Sequence, residues 1–421
     1  MRVLAYTSPA RGHLYPMVPI LAELAARGHH THVCALAGEL EHLAPLGLDA
    51  SAIDPAIEGI PIVDWRERSP QRAAASVLRT FAKRSEYEAP DLKRAIERHD
   101  PDMLVIDVNA WGAATVAEAS GLPWTIYSPY LLPLRSRDSP PYGPGLRPLG
   151  GPLGALRDAV VARAVDRLFQ RAAMSLLNPL RAYHGLPSLD SFDSLLRRPA
   201  LLLSLTAEGF EYPHSDWPAS VRLVGPMNWN PTNAAQPAPQ WLAEMPDPLV
   251  LVTCSTELQR DKRLAQVAFE ALPAAGMPVI ATTAAHDPDS FHVPPGSRAV
   301  RFLAHDTILR RASCVVCHGG LGITQKALSA GVPVVVVPFG RDQMETARRV
   351  QFAGAGVRLS PRRLIPERLA GAVRSAIACR PGAQRVAAAF ACAGGPQAAA
   401  DAIEALGSRS GGDFLGDKIR P

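Results

Sequence analysis

Residues 317–343 read CHGGLGITQKALSAGVPVVVVPFGRDQ. The run Ser313–Cys317 and the run Val332–Pro338 are both apolar and rich in valine, and between them Gly322–Ala330 has helical spacing closed by Gly331. Strand, loop, helix and strand make a βαβ unit. Its parallel strands are covered on both faces and therefore run apolar without alternation. In such sheets ligands collect beyond the carboxyl ends of the strands. His318-Gly319-Gly320-Leu321-Gly322 stands there, at a helix amino terminus whose free N–H groups and dipole attract phosphate. Glycines let the backbone approach such a ligand closely. Asp342-Gln343 follows the next strand and is expected to face the same crevice.

The same alternation runs through the rest of the chain. Arg2–Ser8 reads as a buried strand, followed by a helix with Met17, Ile20, Leu21 and Leu24 on one face and Gly28 at its end. HHTHVCAL (29–36), Met103–Asp107 and Trp124–Tyr127 read as strands, with a helix over Ala110–Ser120. Few apolar periodicities appear between Asp54 and Pro70. Residues 138–152 are dense in Pro and Gly and read as a mobile loop, and 153–185 as helical. Leu201–Ser204 and Val221–Val224 are short strands before a Pro/Asn-rich stretch, 225–240, which is the best domain boundary. Beyond it come strands at 249–255, 278–283 and 300–304, then the two quoted above, then helices over 366–406. The expected fold is α/β, with two Rossmann-like β/α/β domains facing a cleft. The domains are 1–224 and 246–395, joined by a linker at 225–245. A last helix (396–406) is placed to cross back, ahead of a flexible tail (407–421).

Composition excludes several function classes. The chain has 421 residues, 47% hydrophobic and 20% charged, as in globular proteins. Its net charge is +5, and its basic residues are nearly all arginine, with lysine only at 83, 93, 262, 326 and 418. No basic run interleaved with aromatics appears, so nucleic acid is not an expected partner. Cys314 and Cys317 form the only CxxC, but on a strand they point to opposite faces and read as core cysteines. No apolar window is long enough for a membrane span and no signal peptide opens the chain, so a cytoplasmic protein is expected. The glycine fingerprint of nicotinamide dehydrogenases is missing after the first strand.

Two residues offer acid–base chemistry. His13 follows the first strand at a helix amino end, where the dipole disfavours imidazolium and keeps the ring neutral for a general base. Asp107 ends the third strand; if those strands are neighbours, it accepts from one ring nitrogen and leaves the other for a substrate hydroxyl. A helix-cap role for each, and a turn role for His318, are the plainer alternatives.

The quoted stretch resembles the donor signature of family 1 natural-product glycosyltransferases of the GT-B fold. His318-Gly319-Gly320-Leu321-Gly322-Ile323-Thr324, Gly331-Val332-Pro333 and Pro338-Phe339-Gly340-Arg341-Asp342-Gln343 carry it. Gly12-His13-Leu14-Tyr15-Pro16 and Asp107 match its amino-terminal features. The resemblance spans the chain apart from the tail. It implies an inverting transfer of a hexose from a nucleoside-diphosphate sugar (uridine or thymidine) to a hydroxyl of a small, largely apolar natural product. His13 would be the base and Asp107 its partner. His318, Gly319, Gly320, Gly322, Ser255, Thr256 and Thr324 would hold the diphosphate. Asp342 and Gln343 would bond the sugar, Phe302 would stack on the base, and Leu303 would offer its backbone. Tyr15, Trp65, Phe81, Trp111, Tyr127 and Tyr130 are candidates for an apolar acceptor pocket.

A helix terminus can take the leaving-group charge, so no metal and no cofactor beyond the sugar nucleotide is expected. Asp100-Pro101-Asp102 and Asp287-Pro288-Asp289 read as turns. Ile323, Lys326 and Ala304-His305 depart from the family pattern, and Lys326 is a candidate contact for phosphate or ribose. Fold alone does not fix function, and a non-catalytic auxiliary partner of another transferase or a sugar-nucleotide epimerase of the same fold are the alternatives. A monomer or homodimer is expected.

Overall fold

The computed structural model describes residues 1–231, 239–257 and 259–414, with side chains through residue 408. Two parallel sheets organise it. The first has seven strands in the order β3-β2-β1-β4-β5-β6-β7: β1 Arg2–Tyr6, β2 His30–Ala35, β3 Asp49–Ala52, β4 Met103–Asp107, β5 Trp124–Ser128, β6 Leu201–Ser204 and β7 Val221–Leu223. The second has six, β10-β9-β8-β11-β12-β13: β8 Leu249–Thr253, β9 Val279–Thr282, β10 Arg298–Val300, β11 Ala312–Cys317, β12 Val334–Val336 and β13 Gly356–Arg358. Strand order reverses beside β1 and β4 in one sheet and beside β8 and β11 in the other. Connections leave these neighbouring strands toward opposite faces, so a crevice opens beyond their carboxyl ends.

The first helix, Arg11–Ala26, buries the stripe read from the sequence, and adds Leu14 and Val18 to it. The last helix, Gly395–Phe414, returns to pack on it, with Ala399, Ala400 and Ile403 in the same core cluster. Arg27 Nη1 meets Asp401 at 2.6 Å, and His29 Nε2 meets Glu404 at 2.7 Å. Among the described residues, no helix is long and apolar enough to cross a membrane.

Several local expectations change. Residues 407–414, taken for tail, continue the last helix; 415–421 lie outside the described residues, as do 232–238 of the linker. The strand expected over 300–304 is Arg298–Val300 instead, which leaves Phe302 in the following loop. A 30-residue helix, Pro70–His99, was not legible because its inner face buries Thr80, Arg84, Ser85 and Glu88 among the apolar residues, which breaks the period. The loop expected to be mobile, 138–152, is docked on the second domain. Gly143 and Gly145 donate their N–H groups to Glu345 Oε1 at 2.8 and 2.7 Å, and Arg348 reaches the Gly145 carbonyl at 3.1 Å. At Gly145, with φ +59°, an added Cβ would lie 2.4 Å from the Met344 carbonyl oxygen, so only glycine permits this approach.

Candidate active site

β1 and β4 pair directly, Tyr6 opposite Ile106, so the residues just past each strand meet. His13 lies in the first turn of the helix after β1 and Asp107 ends β4. His13 Nδ1 is 2.8 Å from Asp107 Oδ2 and 3.0 Å from Oδ1. The carboxylate is fully buried and also accepts from the Ser8 hydroxyl at 3.0 Å and from the Ser8 and Asn109 N–H groups at 3.2 and 2.8 Å. Burial alone would raise its pKa, but His13 and these donors outweigh it and hold it below the ordinary value. For His13, burial presses the pKa down, and the charge and hydrogen bond of Asp107 more than reverse this. The ring therefore titrates above its ordinary value, contrary to the expectation from the helix dipole: a carboxylate in contact outweighs partial charges at a helix end.

The outward face of His13 is polar. Nε2 is 3.3 Å from Asn109 Nδ2, and Asn109 Oδ1 accepts from the Tyr130 hydroxyl at 2.8 Å. Tyr130 stands edge-on to the imidazole at 5.9 Å, and the Tyr127 hydroxyl donates to the His13 carbonyl at 3.1 Å. Tyr130 thus joins His13, whereas Tyr127, expected at the acceptor, is fully buried in the core and only supports the His13 backbone. Trp111 does not: it is 1% exposed, packs against Phe81, Phe169 and Phe192, and donates Nε1–H to the Val108 carbonyl at 3.1 Å. Trp111 and Phe81 belong to the domain core rather than to a pocket wall. Tyr15 donates to Glu39 at 2.8 Å and meets Trp229 edge-on, and Trp65 stacks under Arg66.

In the second domain, Ser255 follows β8 and His318 follows β11, again neighbours in the sheet. His318 is 8% exposed and its Nδ1 has no protein partner. Burial holds its pKa below the ordinary value against the pull of Asp261. Gly319 has φ +99°, and a Cβ there would meet Val336 Cγ1 at 2.6 Å; at Gly320 it would meet His318 Nε2 at 2.6 Å. Gly320 caps the helix Leu321–Ser329, and Gly322 opens to solvent. The motif therefore brings a neutral imidazole and a bare helix end together.

Asp342 precedes the helix Gln343–Phe352, and burial raises its pKa. His13 feels the charges of Glu257 and Asp342 across the crevice, and Asp342 feels that of His13. Two residues expected at the donor are occupied elsewhere. The Thr324 hydroxyl donates to the Gly320 carbonyl at 2.9 Å inside its own helix. Gln343 is 1% exposed; its Oε1 accepts from Phe339 and Gly340 N–H at 2.8 and 3.2 Å, and its Nε2 donates to Gln259 at 2.7 Å. It shapes the loop rather than projecting into the crevice. The Ser255 hydroxyl accepts from Glu257 N–H at 3.2 Å and Gln259 Nε2 at 3.1 Å, and Thr256 is exposed. Phe302 is 61% exposed and Leu303 is partly buried on the second core. Lys326 donates to Asn230 at 2.6 Å, and His305, beside Thr282 at 3.2 Å, is pushed down to about 3 by burial and by Lys326.

The fold brings four further side chains here, Asn109 among them. Glu257 and Arg341 are joined at 2.8 Å, and Arg341 also holds Asp64 of the first domain at 2.9 and 3.0 Å. Tyr142, on the docked loop, has a buried hydroxyl without a protein partner, and its pKa is raised by burial first and then by Asp342. Of these only Arg341 carried a signal, since it stands inside the motif beside Asp342. Among the described residues, Cys254, Asp261 and His286 are the one group placed to share a metal ion, but Asp261 already accepts from Ser255 N–H at 2.6 Å and His286 Nε2 at 2.9 Å.

Residues 269–406 match the family described as erythromycin biosynthesis protein CIII-like, C-terminal domain. The chain is 33% identical to 4'-demethylrebeccamycin synthase of Lentzea aerocolonigenes, over 89% of this chain and 91% of the relative. It is 30% identical to L-demethylnoviosyl transferase of Streptomyces niveus, over 85% of each. The solved glycotransferase of kitacinnamycin superposes with a TM-score of 0.75 at 21% identity, over 96% of this chain and 98% of its own.

Proposed function

Because the chain belongs to the GT-B natural-product glycosyltransferases of antibiotic biosynthesis, we propose that it transfers a hexose, with inversion, from a uridine or thymidine diphosphate sugar to a hydroxyl of a small, largely apolar acceptor. One observation carries this reading: His13 is bonded through Nδ1 to a buried carboxylate while its Nε2 is turned away from it, and the ring feels the charges of Glu257 and Asp342 from the second domain. The acceptor hydroxyl gives its proton to Nε2 as its oxygen bonds the anomeric carbon. The bond from that carbon to the diphosphate breaks, and its electron pair leaves on the phosphate oxygen. His318 and the free N–H groups at the start of the helix Leu321–Ser329 receive that charge, preorganised and largely dry. Asp342 accepts from sugar hydroxyls. Phe302 stacks on the base and Leu303 offers it backbone atoms. Tyr130 and Tyr142 border the acceptor. No step calls on a metal ion, so chelation leaves turnover unchanged.

The test is His13→Ala. Loss of general-base catalysis should lower turnover by about 10²–10⁴-fold, while calorimetry shows nearly unchanged nucleoside-diphosphate affinity. Asp107→Asn should lose less, since the base itself remains and the amide oxygen can still accept from Nδ1, although the charge is gone and an NH2 replaces one accepting oxygen. Full turnover by His13→Ala on a neutral alcohol, or retention at the anomeric carbon, refutes the mechanism.

A further inference from the structure

Asn109 touches the atom of His13 that the transfer uses. Its Nδ2 is 3.3 Å from Nε2, its Oδ1 accepts from Tyr130 at 2.8 Å, and its own N–H donates to Asp107 Oδ1 at 2.8 Å. The residue is 6% exposed, so these contacts are made away from water. With Tyr130 donating to the carbonyl end, the amide turns its NH2 toward the imidazole. An NH2 group only donates, so the contact requires a lone pair on Nε2. The ring proton then belongs on Nδ1, against the carboxylate.

We propose that Asn109 is a positioning residue of the transfer site: in the acceptor-free enzyme its amide donates to His13 Nε2 and keeps the ring in the proton-accepting tautomer, and the acceptor hydroxyl displaces it. The proposal rests on His13 being the base. Three carboxylates face the ring from different elements, Asp107 at the end of β4, Glu257 after β8 and Asp342 after β12, and all favour imidazolium. Tyr127 and Tyr130, also packed on it, are uncharged. A hydrogen bond given to the neutral form opposes the charged one. Asn109 is thus the polar contact, besides burial, that works against the carboxylates. The arriving hydroxyl replaces one donor with another at the same lone pair. The proton then moves along that bond to Nε2 as the new C–O bond forms and the diphosphate departs.

The experiment compares pH profiles of the wild-type enzyme, Asn109→Ala, Asn109→Asp, Tyr130→Phe and His13→Ala, using a neutral alcohol acceptor at saturating donor. The acid limb of kcat/KM reports the enzyme before acceptor binds, and that of kcat the complex. In Asn109→Ala the kcat/KM limb should move to higher pH by about half to one unit, and the kcat limb should barely move because the amide has already left. Asn109→Asp should move it further by adding a fourth carboxylate. Tyr130→Phe, which leaves Asn109 in place but unoriented, should move it less. The ¹⁵N resonance of labelled His13 reads the same shift without turnover. An unmoved kcat/KM limb in Asn109→Ala overturns the proposal, and so does an equal shift in both limbs, which would leave the amide on His13 in the complex. Undiminished turnover by His13→Ala sinks the base reading itself, a distinguishable outcome.

Discussion

Replacing Arg341 should release the two domains from one another by a measurable amount. The guanidinium bonds Asp64 at 2.9 and 3.0 Å on one side of the cleft and Glu257 at 2.8 Å on the other. Asp64 has a side chain only 9% exposed, whereas that of Glu257 is 41% exposed. In Arg341→Ala, Glu257 is rehydrated at little cost. Asp64 stays buried and unpaired, and stripping one partner from such a pair costs about 3–5 kcal/mol. The Arg341 side chain is itself 19% exposed, so water weakens the pair and a loss near the lower end, about 3 kcal/mol, is expected. Asp64→Ala removes the stranded charge, so the double variant should lose about 2 kcal/mol less than the sum of the singles. The backbone supplies a second handle. Arg341 has φ +54°, a region that penalises any side chain with a Cβ by about 1–2 kcal/mol. Arg341→Gly should therefore be less damaging than Arg341→Ala. Urea unfolding of the four variants followed by tryptophan fluorescence gives the cycle. Additivity of Arg341→Ala and Asp64→Ala within about 0.5 kcal/mol would falsify the clasp.

Two further perturbations test buried features around the site. Glu88 is fully buried, accepts from Gly112 N–H at 2.9 Å, and is pushed up to about 8 by burial. A carboxyl raised in the fold contributes stability that is fully present below its unfolded pKa of 4.5 and lost as pH rises through 8. Melting temperatures of Glu88→Gln should therefore gain on the wild type from pH 5 to 9, and parallel curves would contradict the assignment. Gly145→Ala should undock the loop that carries Tyr142, because its Cβ would meet the Met344 carbonyl at 2.4 Å in a left-handed conformation. Limited proteolysis should then cut within 138–150; wild-type resistance would show that the loop is held by other contacts.

Much of this protein is written locally. The valine runs of β8, β11 and β12, the glycines at 319 and 320 and the stripe Met17-Ile20-Leu21-Leu24 each declare their element, because period and apolar burial are properties of short segments. The placing of Asp107 at a strand end, and of His13 and His318 just past one, followed from the same local reading. The edge strands were harder: β3 is DASA and β13 is GVR, too short and too polar to stand out. Residues 54–70 gave little, although Asp64 within them spans the cleft to Arg341.

Partnership is what the tertiary structure decided. Nothing in the sequence beside Thr324 or Gln343 distinguishes a side chain turned into its own helix or loop from one turned to a ligand, and Trp111 looks the same in a core as in a pocket. Asn109 is a single polar residue after a strand until β1 and β4 pair and bring it against His13. The pKa of His13 is likewise set by burial and by Asp107, Glu257 and Asp342, which come from three segments far apart in the chain. Hydrophobic period is encoded within a dozen residues and survives reading alone, whereas hydrogen-bond geometry and electrostatics depend on distances between segments far apart in the chain, which exist only once the two sheets have closed on each other.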